Sequence, residues 1–208
     1  SSWRAKKCQI DLHDRMVNAL LEAARVKDYL KVEMAFERGR GRLSNREGTT
    51  ALHIAASVGS KRIVKLCVRR GMDIDTRDLR GRTPLHYLVE GTYAGQEELL
   101  EYMLSKGSRR NASDIVGSSV LAYAARLNHV ECVITLIAMN AEMDQQDVQG
   151  FTAIHDAAGS GAWASVKALI NMGHANVDLP DHTGCTPLHD VCARGHSAVL
   201  LLLLPATQ

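Results

Sequence analysis

One phrase recurs five times in this 208-residue chain: Gly48-Thr49-Thr50-Ala51-Leu52-His53, Gly81-Arg82-Thr83-Pro84-Leu85-His86, Gly117-Ser118-Ser119-Val120-Leu121-Ala122, Gly150-Phe151-Thr152-Ala153-Ile154-His155 and Gly184-Cys185-Thr186-Pro187-Leu188-His189. Its glycines are spaced 33, 36, 33 and 34 residues apart. A unit of that length cannot bury its own apolar face, so the copies must stack on one another and share a continuous core. No single catalytic or binding motif in the chain constrains the fold as strongly.

The chemistry of the phrase predicts a helix start. In Thr83-Pro84-Leu85-His86 the threonine suits an N-cap and the proline suits the first helical position, where its missing N–H costs nothing. Leu52, Ala55 and Ala56, followed beyond Gly59 by Ile63, Val64 and Leu66, read as two short antiparallel helices joined by a tight turn. The pairs Ala55-Ala56, Ala124-Ala125 and Ala157-Ala158 let neighbouring inner helices approach closely. Gly71, Gly107 and Gly173 stand where a left-handed residue ends the second helix. The stretch from Asp78, Asp114, Asp147 or Asp181 to the following glycine forms a projecting finger turn. Ser119 and Ala122 replace Thr and His in the third copy, which predicts a weaker cap there. Three extra residues within 91–95 fall between the helices of the second copy, and one around His174-Ala175-Asn176 lengthens the finger after the fourth.

This period, with G-x-T-P-L-H followed by A-A, resembles the ankyrin repeat over residues 48–208. The resemblance implies an all-α ankyrin-repeat solenoid of paired antiparallel helices with projecting finger turns. The expected organisation is an N-terminal extension at 1–15, a helix or a disordered lead, and a degenerate capping repeat at 16–47 whose outer face can be polar. Repeats then follow at 48–80, 81–116 (with the helix-turn insertion), 117–149 and 150–183, and a final, truncated repeat at 184–208. Leu200 to Leu204 is too apolar for a solvated cap, so a missing cap or a partner is expected to cover it. Ankyrin-family proteins mostly bind other proteins in the concave groove of fingers and inner helices.

Signs of catalysis are absent: there is no G-x-x-x-x-G-K loop, nucleophile elbow or H-E-x-x-H, so no catalytic residue, cofactor or small-molecule substrate is expected. His182, Cys185, His189 and Cys192 have the residue types of a zinc site. The repeat frame instead assigns His189 to its helix start and Cys192 to the second Ala slot, facing the core, so no metal is expected. The odd set of five scattered cysteines and the lack of a secretory leader point to an intracellular protein, cytoplasmic or nuclear. The longest apolar run, Val199 to Leu204, is far short of the ~20 residues that span a bilayer, so no membrane partner is expected.

Function must come from the groove residues. The residue after the motif histidine points into the groove, and across the repeats this column reads Ile54, Tyr87, Tyr123, Asp156, Asp190. Charge follows the same polarity: residues 1–110 balance at +8 and residues 111–208 at −6, hidden within a formal net charge of +2. Tyr87, Tyr123, Phe151, Asp156 and Asp190 are the candidate groove residues, because carboxylates beside aromatic faces suit a Lys/Arg-rich peptide. Arg40, Arg42, Arg77, Arg80 and Arg82 form a candidate basic edge on the fingers for an acidic or phosphorylated protein or a nucleic acid. Gly150 to Ala157 also resembles the aromatic-finger, acid-after-His phrase of the ankyrin domains of tonsoku-type DNA repair proteins, which read histone H4 tails. The chain thus reads as a non-catalytic protein-interaction module whose third to fifth repeats hold a basic peptide, with a regulatory or scaffold adaptor acting through the N-terminal fingers as the alternative.

Overall fold

The computed structural model describes residues 2–41 and 43–206, with side chains described from residue 14 onward; Arg42 therefore lies outside the described residues. Twelve helices form among them, with two isolated antiparallel bridges, Ser44 with Thr50 and Ser113 with Ser119, as the extended pairing. The helices divide into two compact units, Ser1–Ala94 and Gly95–Gln208.

The first unit holds α1 (Ser2–Arg25), α2 (Tyr29–Glu37), α3 (Ala51–Ser57), α4 (Lys61–Arg69) and α5 (Pro84–Glu90). Packing of α1 on α2 and of α3 on α4 makes helical hairpins, and α3 stacks between α1 and α5. Residues 2–15 continue α1 as helix rather than as a lead of another kind. The core of this unit is Leu20, Ala24, Val32, Leu52, Ile63, Val64, Leu85 and Leu88, all buried. Tyr93, from the inserted segment, folds back so that its hydroxyl donates to the Ala56 carbonyl at 2.8 Å.

The second unit holds α6 (Gln96–Ser105), α7 (Val120–Arg126), α8 (Val130–Ala138), α9 (Ala153–Ser160), α10 (Trp163–Asn171), α11 (Pro187–Arg194) and α12 (Ser197–Leu203). Its inner helices stack in the order α7, α9, α11, and α8, α10 and α12 cover their backs. Ala124, Ala125, Ala157 and Ala158 are fully buried, so the small side chains do sit where the inner helices meet.

The helix starts form as their sequence dictates. In Thr50/His53, Thr83/His86, Thr152/His155 and Thr186/His189 a reciprocal capping box is complete, with the threonine N–H donating to histidine Nδ1 at 3.1, 3.1, 3.2 and 3.1 Å. The remaining ring nitrogen reaches the next finger: His53 Nε2 lies 3.2 Å from the Arg82 carbonyl and His155 Nε2 3.3 Å from that of Cys185. Nδ1 therefore accepts and Nε2 donates, the neutral tautomer, and burial pushes both histidines below their ordinary pKa. The third repeat has the simpler cap expected of it, Ser119 Oγ accepting from the Ala122 N–H at 3.1 Å.

Each finger is closed by its aspartate. Oδ1 of Asp78, Asp114, Asp147 and Asp181 accepts the backbone N–H groups two and four residues on, at 2.8–3.0 Å. The glycine three residues after it takes φ of 73–87°. Gly150 also lets the neighbouring finger approach, since a Cβ there would lie 2.6 Å from the His182 nitrogen. Gly71 and Gly107 adopt positive φ as expected, but Gly173 does not: His174 takes the left-handed conformation instead, with φ 51°. The one-residue lengthening after the fourth repeat shifts the terminating position by one.

Candidate functional site

The column residue is handled differently in repeats two and three from repeats four and five, and the difference creates the site. In repeats two and three it is a tyrosine nine residues beyond the finger aspartate. Tyr87 donates its hydroxyl to Asp78 Oδ2 at 2.9 Å, and Tyr123 donates to Asp114 Oδ2 at 2.9 Å. The second carboxylate oxygen of each finger is thus satisfied by the column residue. In repeat four that residue is Asp156, which once ionised has no proton to give to Asp147, and in repeat five it is Asp190, nine residues beyond Asp181.

Asp156 consequently stands on α9 with no hydrogen bond or ion pair from any described residue to its carboxylate. Burial raises its pKa from the ordinary 3.8 to about 6, and the charges of Asp147 and Asp190 push the same way, while Arg126 and Arg194 pull against them. A concavity of about 250 Å³ opens here between Phe151, Asp156 and Asp190, edged by Arg126 and Arg194. Phe151 is held by its own backbone N–H to Asp147 and lays its ring against His155, centroids 5.6 Å apart. Arg126 stacks over the Tyr123 ring at 4.8 Å, and Arg194 donates to the Gly159 carbonyl at 2.9 Å, so both cations are anchored at the margin. The floor of the site is left acidic and partly dry, beside an aromatic ring. Such a surface suits a cationic side chain that brings both charge and donors.

Sequence reasoning singled out Tyr123, Phe151, Asp156 and Asp190, and the structure brings them to the α7–α9–α11 face of the second unit. Arg126 and Arg194 were missed. Their signal was helical spacing: Arg126 lies three residues after Tyr123 and Arg194 four after Asp190, on the same faces.

Of the first-unit candidates, Tyr87 and Arg82 are engaged within their own repeat. Tyr87 is tied to Asp78 and also receives a hydrogen bond from Arg82 Nη2 at 2.8 Å. Arg82, expected as a basic finger residue, is turned inward: it pairs with Asp78 at 3.0 Å and Glu90 at 3.2 Å and its side chain is only 15% exposed. Its charge is consumed by the repeat's own carboxylates. Arg77 donates to the Gly81 carbonyl at 2.8 Å, and Arg40, Arg77 and Arg80 are exposed. Cys192, expected to face the core from the second Ala slot, is exposed, because among the described residues no further inner helix stacks on that face of α11.

The family profile described as ankyrin repeats matches in three overlapping copies, at residues 13–114, 88–181 and 121–208. The chain is similar to "Ankyrin repeat protein nuc-2" of Neurospora crassa, 29% identical over 74% of this chain and 14% of the relative. It is likewise similar to human "Rabankyrin-5", 29% identical over 81% of this chain and 14% of that protein. With the mouse "B-cell lymphoma 3 protein homolog" it shares 38% identity over 47% of this chain and 21% of the relative. The chain thus spans about a seventh of the length of the first two of these relatives.

Proposed function

From a chain that belongs to the ankyrin-repeat family, whose repeats are generally non-catalytic protein–protein interaction modules, we propose one that holds a Lys- or Arg-bearing segment of a partner protein on the α7–α9–α11 face. The observation that carries this reading is the Asp156 carboxylate, partly desolvated, close to two like charges that Arg126 and Arg194 offset only in part, and given no hydrogen-bond donor by the fold. A burial that raises the energy of an ion by more than its neighbours repay destabilises the protein on its own account. A cationic ligand supplies the missing compensation. Phe151 adds a ring face to the same concavity, and Asp190 a second carboxylate.

Titrating a Lys/Arg-rich peptide library into the wild type and an Asp156→Ala/Asp190→Ala double variant tests the proposal. Each charged hydrogen bond lost is worth about 1.5–3 kcal/mol, so the double variant is expected to bind the selected peptides at least ten-fold more weakly. Equal affinity in both proteins refutes the role of the two aspartates. The alternative reading, an acidic or phosphorylated protein or a nucleic acid on the arginine fingers, keeps Arg40, Arg77 and Arg80, has Arg42 outside the described residues, and loses Arg82 to its internal ion pairs.

A further inference from the structure

The first helical hairpin carries an apolar groove of its own. Here α1 and α2 leave a groove of about 230 Å³ between them, to which no residue of α3 or α4 contributes. Its floor is apolar: Met16, Leu20 and Ala23 from α1 face Met34 and Ala35 from α2. Met16, Leu20 and Ala23 recur at the helical spacing of four and three, over about 10 Å; Leu20 and Ala23 are buried and form the base of the groove, while Met16, Met34 and Ala35 carry its accessible apolar surface. Met34 is 46% exposed, and Leu30, one turn earlier on the same helix, is 67% exposed.

The rim is cationic. Lys31, Arg38 and Arg40 stand around the groove, and Lys31, Met34, Ala35 and Arg38 share one face of α2 at i, i+3, i+4 and i+7. The acids of that helix, Glu33 and Glu37, fall off this face, and Glu33 is engaged by the Tyr29 hydroxyl at 3.1 Å. Lys31 pairs with Asp28 at 2.9 Å, but it is 72% exposed, so the pair is worth little and can exchange partners. Arg38 and Arg40 are exposed and form no ion pair among the described residues. The unit as a whole carries 19 Lys+Arg against 11 Asp+Glu.

We propose that this groove is a second interaction surface, distinct from the acidic site of the second unit, and that its occupant is an acidic amphipathic helix of a partner protein. An apolar groove two turns long, set between two helices, takes the i, i+3/i+4, i+7 anchors of a third helix. Charge complementarity selects among such helices: carboxylates flanking the anchors meet Lys31, Arg38 and Arg40, whereas a basic helix is repelled. Apolar contact supplies the affinity, and the three cations supply orientation and a salt-dependent on-rate.

The probe is a fluorescein-labelled, end-capped helical peptide with leucines at i, i+4 and i+7 and glutamates beside them, titrated by anisotropy into the whole protein at low and high salt. Saturable binding is expected, weakened about ten-fold or more by Met34→Asp and by Arg38→Glu/Arg40→Glu, and left unchanged by Asp156→Asn/Asp190→Asn. All these first-unit side chains are exposed, and thermal melts superimposing on wild type confirm that each variant is folded. The glutamate-to-lysine version of the peptide is expected not to bind. Absence of saturable binding, or binding indifferent to both first-unit variants, overturns the proposal. Sedimentation showing a dimer abolished by Met34→Asp overturns it in favour of a second copy of the chain as occupant. Saturable capture of a duplex DNA probe by the same cations, with no binding of the acidic peptide, overturns it in favour of nucleic acid. Failure of either surface is separable from failure of the other, because they carry opposite charge and lie in different units.

Discussion

Replacing Asp156 by asparagine isolates what the candidate site costs the folded protein. The substitution keeps the size and shape of the side chain and exchanges an ionisable carboxyl for a neutral amide. In the native protein the Asp156 carboxyl titrates at about 6 instead of the ordinary 3.8, because burial and the charges of Asp147 and Asp190 outweigh Arg126 and Arg194. A group whose pKa is raised on folding stabilises the native state fully only below its unfolded pKa, and that advantage disappears as pH rises through the folded value. Between roughly pH 4 and 6, therefore, native stability falls as Asp156 ionises. A displacement of roughly two pH units at 1.36 kcal/mol each amounts to about 3 kcal/mol, an upper figure because the carboxylate keeps some water.

Asp156→Asn is thus expected to stabilise the second unit by about 2–3 kcal/mol near pH 8 and by close to nothing near pH 4. Urea melts followed by Trp163 fluorescence read this directly, in a Trp3→Phe background that leaves one tryptophan, on α10 of that unit. Since repeat arrays unfold in parts, a local reporter is preferable to a global one. A stabilisation of equal size at both pH values would show that something other than ionisation separates Asp from Asn. No stabilisation near pH 8 would refute the claim that the fold leaves this carboxylate incompletely compensated.

Other consequences follow from the same geometry. Arg82→Ala strips the buried Asp78 of its ion pair and is expected to cost about 1.5–3 kcal/mol, whereas Arg80→Ala, on an exposed side chain of the same finger, should stay within about 0.5 kcal/mol; chemical denaturation compares them. Tyr123→Phe removes the donor to Asp114 and should lower stability by about 1 kcal/mol, read by chemical denaturation. Gly150→Ala and Gly184→Ala both place a side chain at positive φ, at a cost of about 1 kcal/mol, but only at Gly150 would the Cβ also strike the backbone of the neighbouring finger, so its loss of thermal stability should be clearly the larger.

The parts of the fold that were legible are those decided within a few residues. Thr83, Pro84 and His86 specify a cap, a first turn and a ring that reaches back, and nothing distant can change that arithmetic. Asp147 and Gly150 specify a turn for the same reason. What was not legible depends on partners brought in by folding. Arg82 reads as a finger cation until Tyr87 and Glu90 arrive one helix later and, with Asp78, enclose it. Cys192 occupies a core slot by register, yet the slot is buried only where another inner helix stacks on it. The shift from Gly173 to His174 is the geometric result of one extra residue in a finger. At the candidate site the Tyr123, Asp156, Asp190 column was readable from period alone. The consequence of exchanging a hydroxyl donor for a second carboxylate was not, because it needed the position of the Asp147 side chain relative to α9.

The central claim is that Asp156 waits for a cation from a partner. Carboxyl-carbon NMR of the selectively labelled protein, titrated with acid in the presence and absence of a saturating Lys/Arg-rich peptide, tests it at the atom concerned. Without peptide the Asp156 resonance is expected to titrate at about 6. With peptide bound the midpoint should fall to the ordinary carboxylate range or below; a midpoint that the bound peptide leaves unmoved would contradict the account.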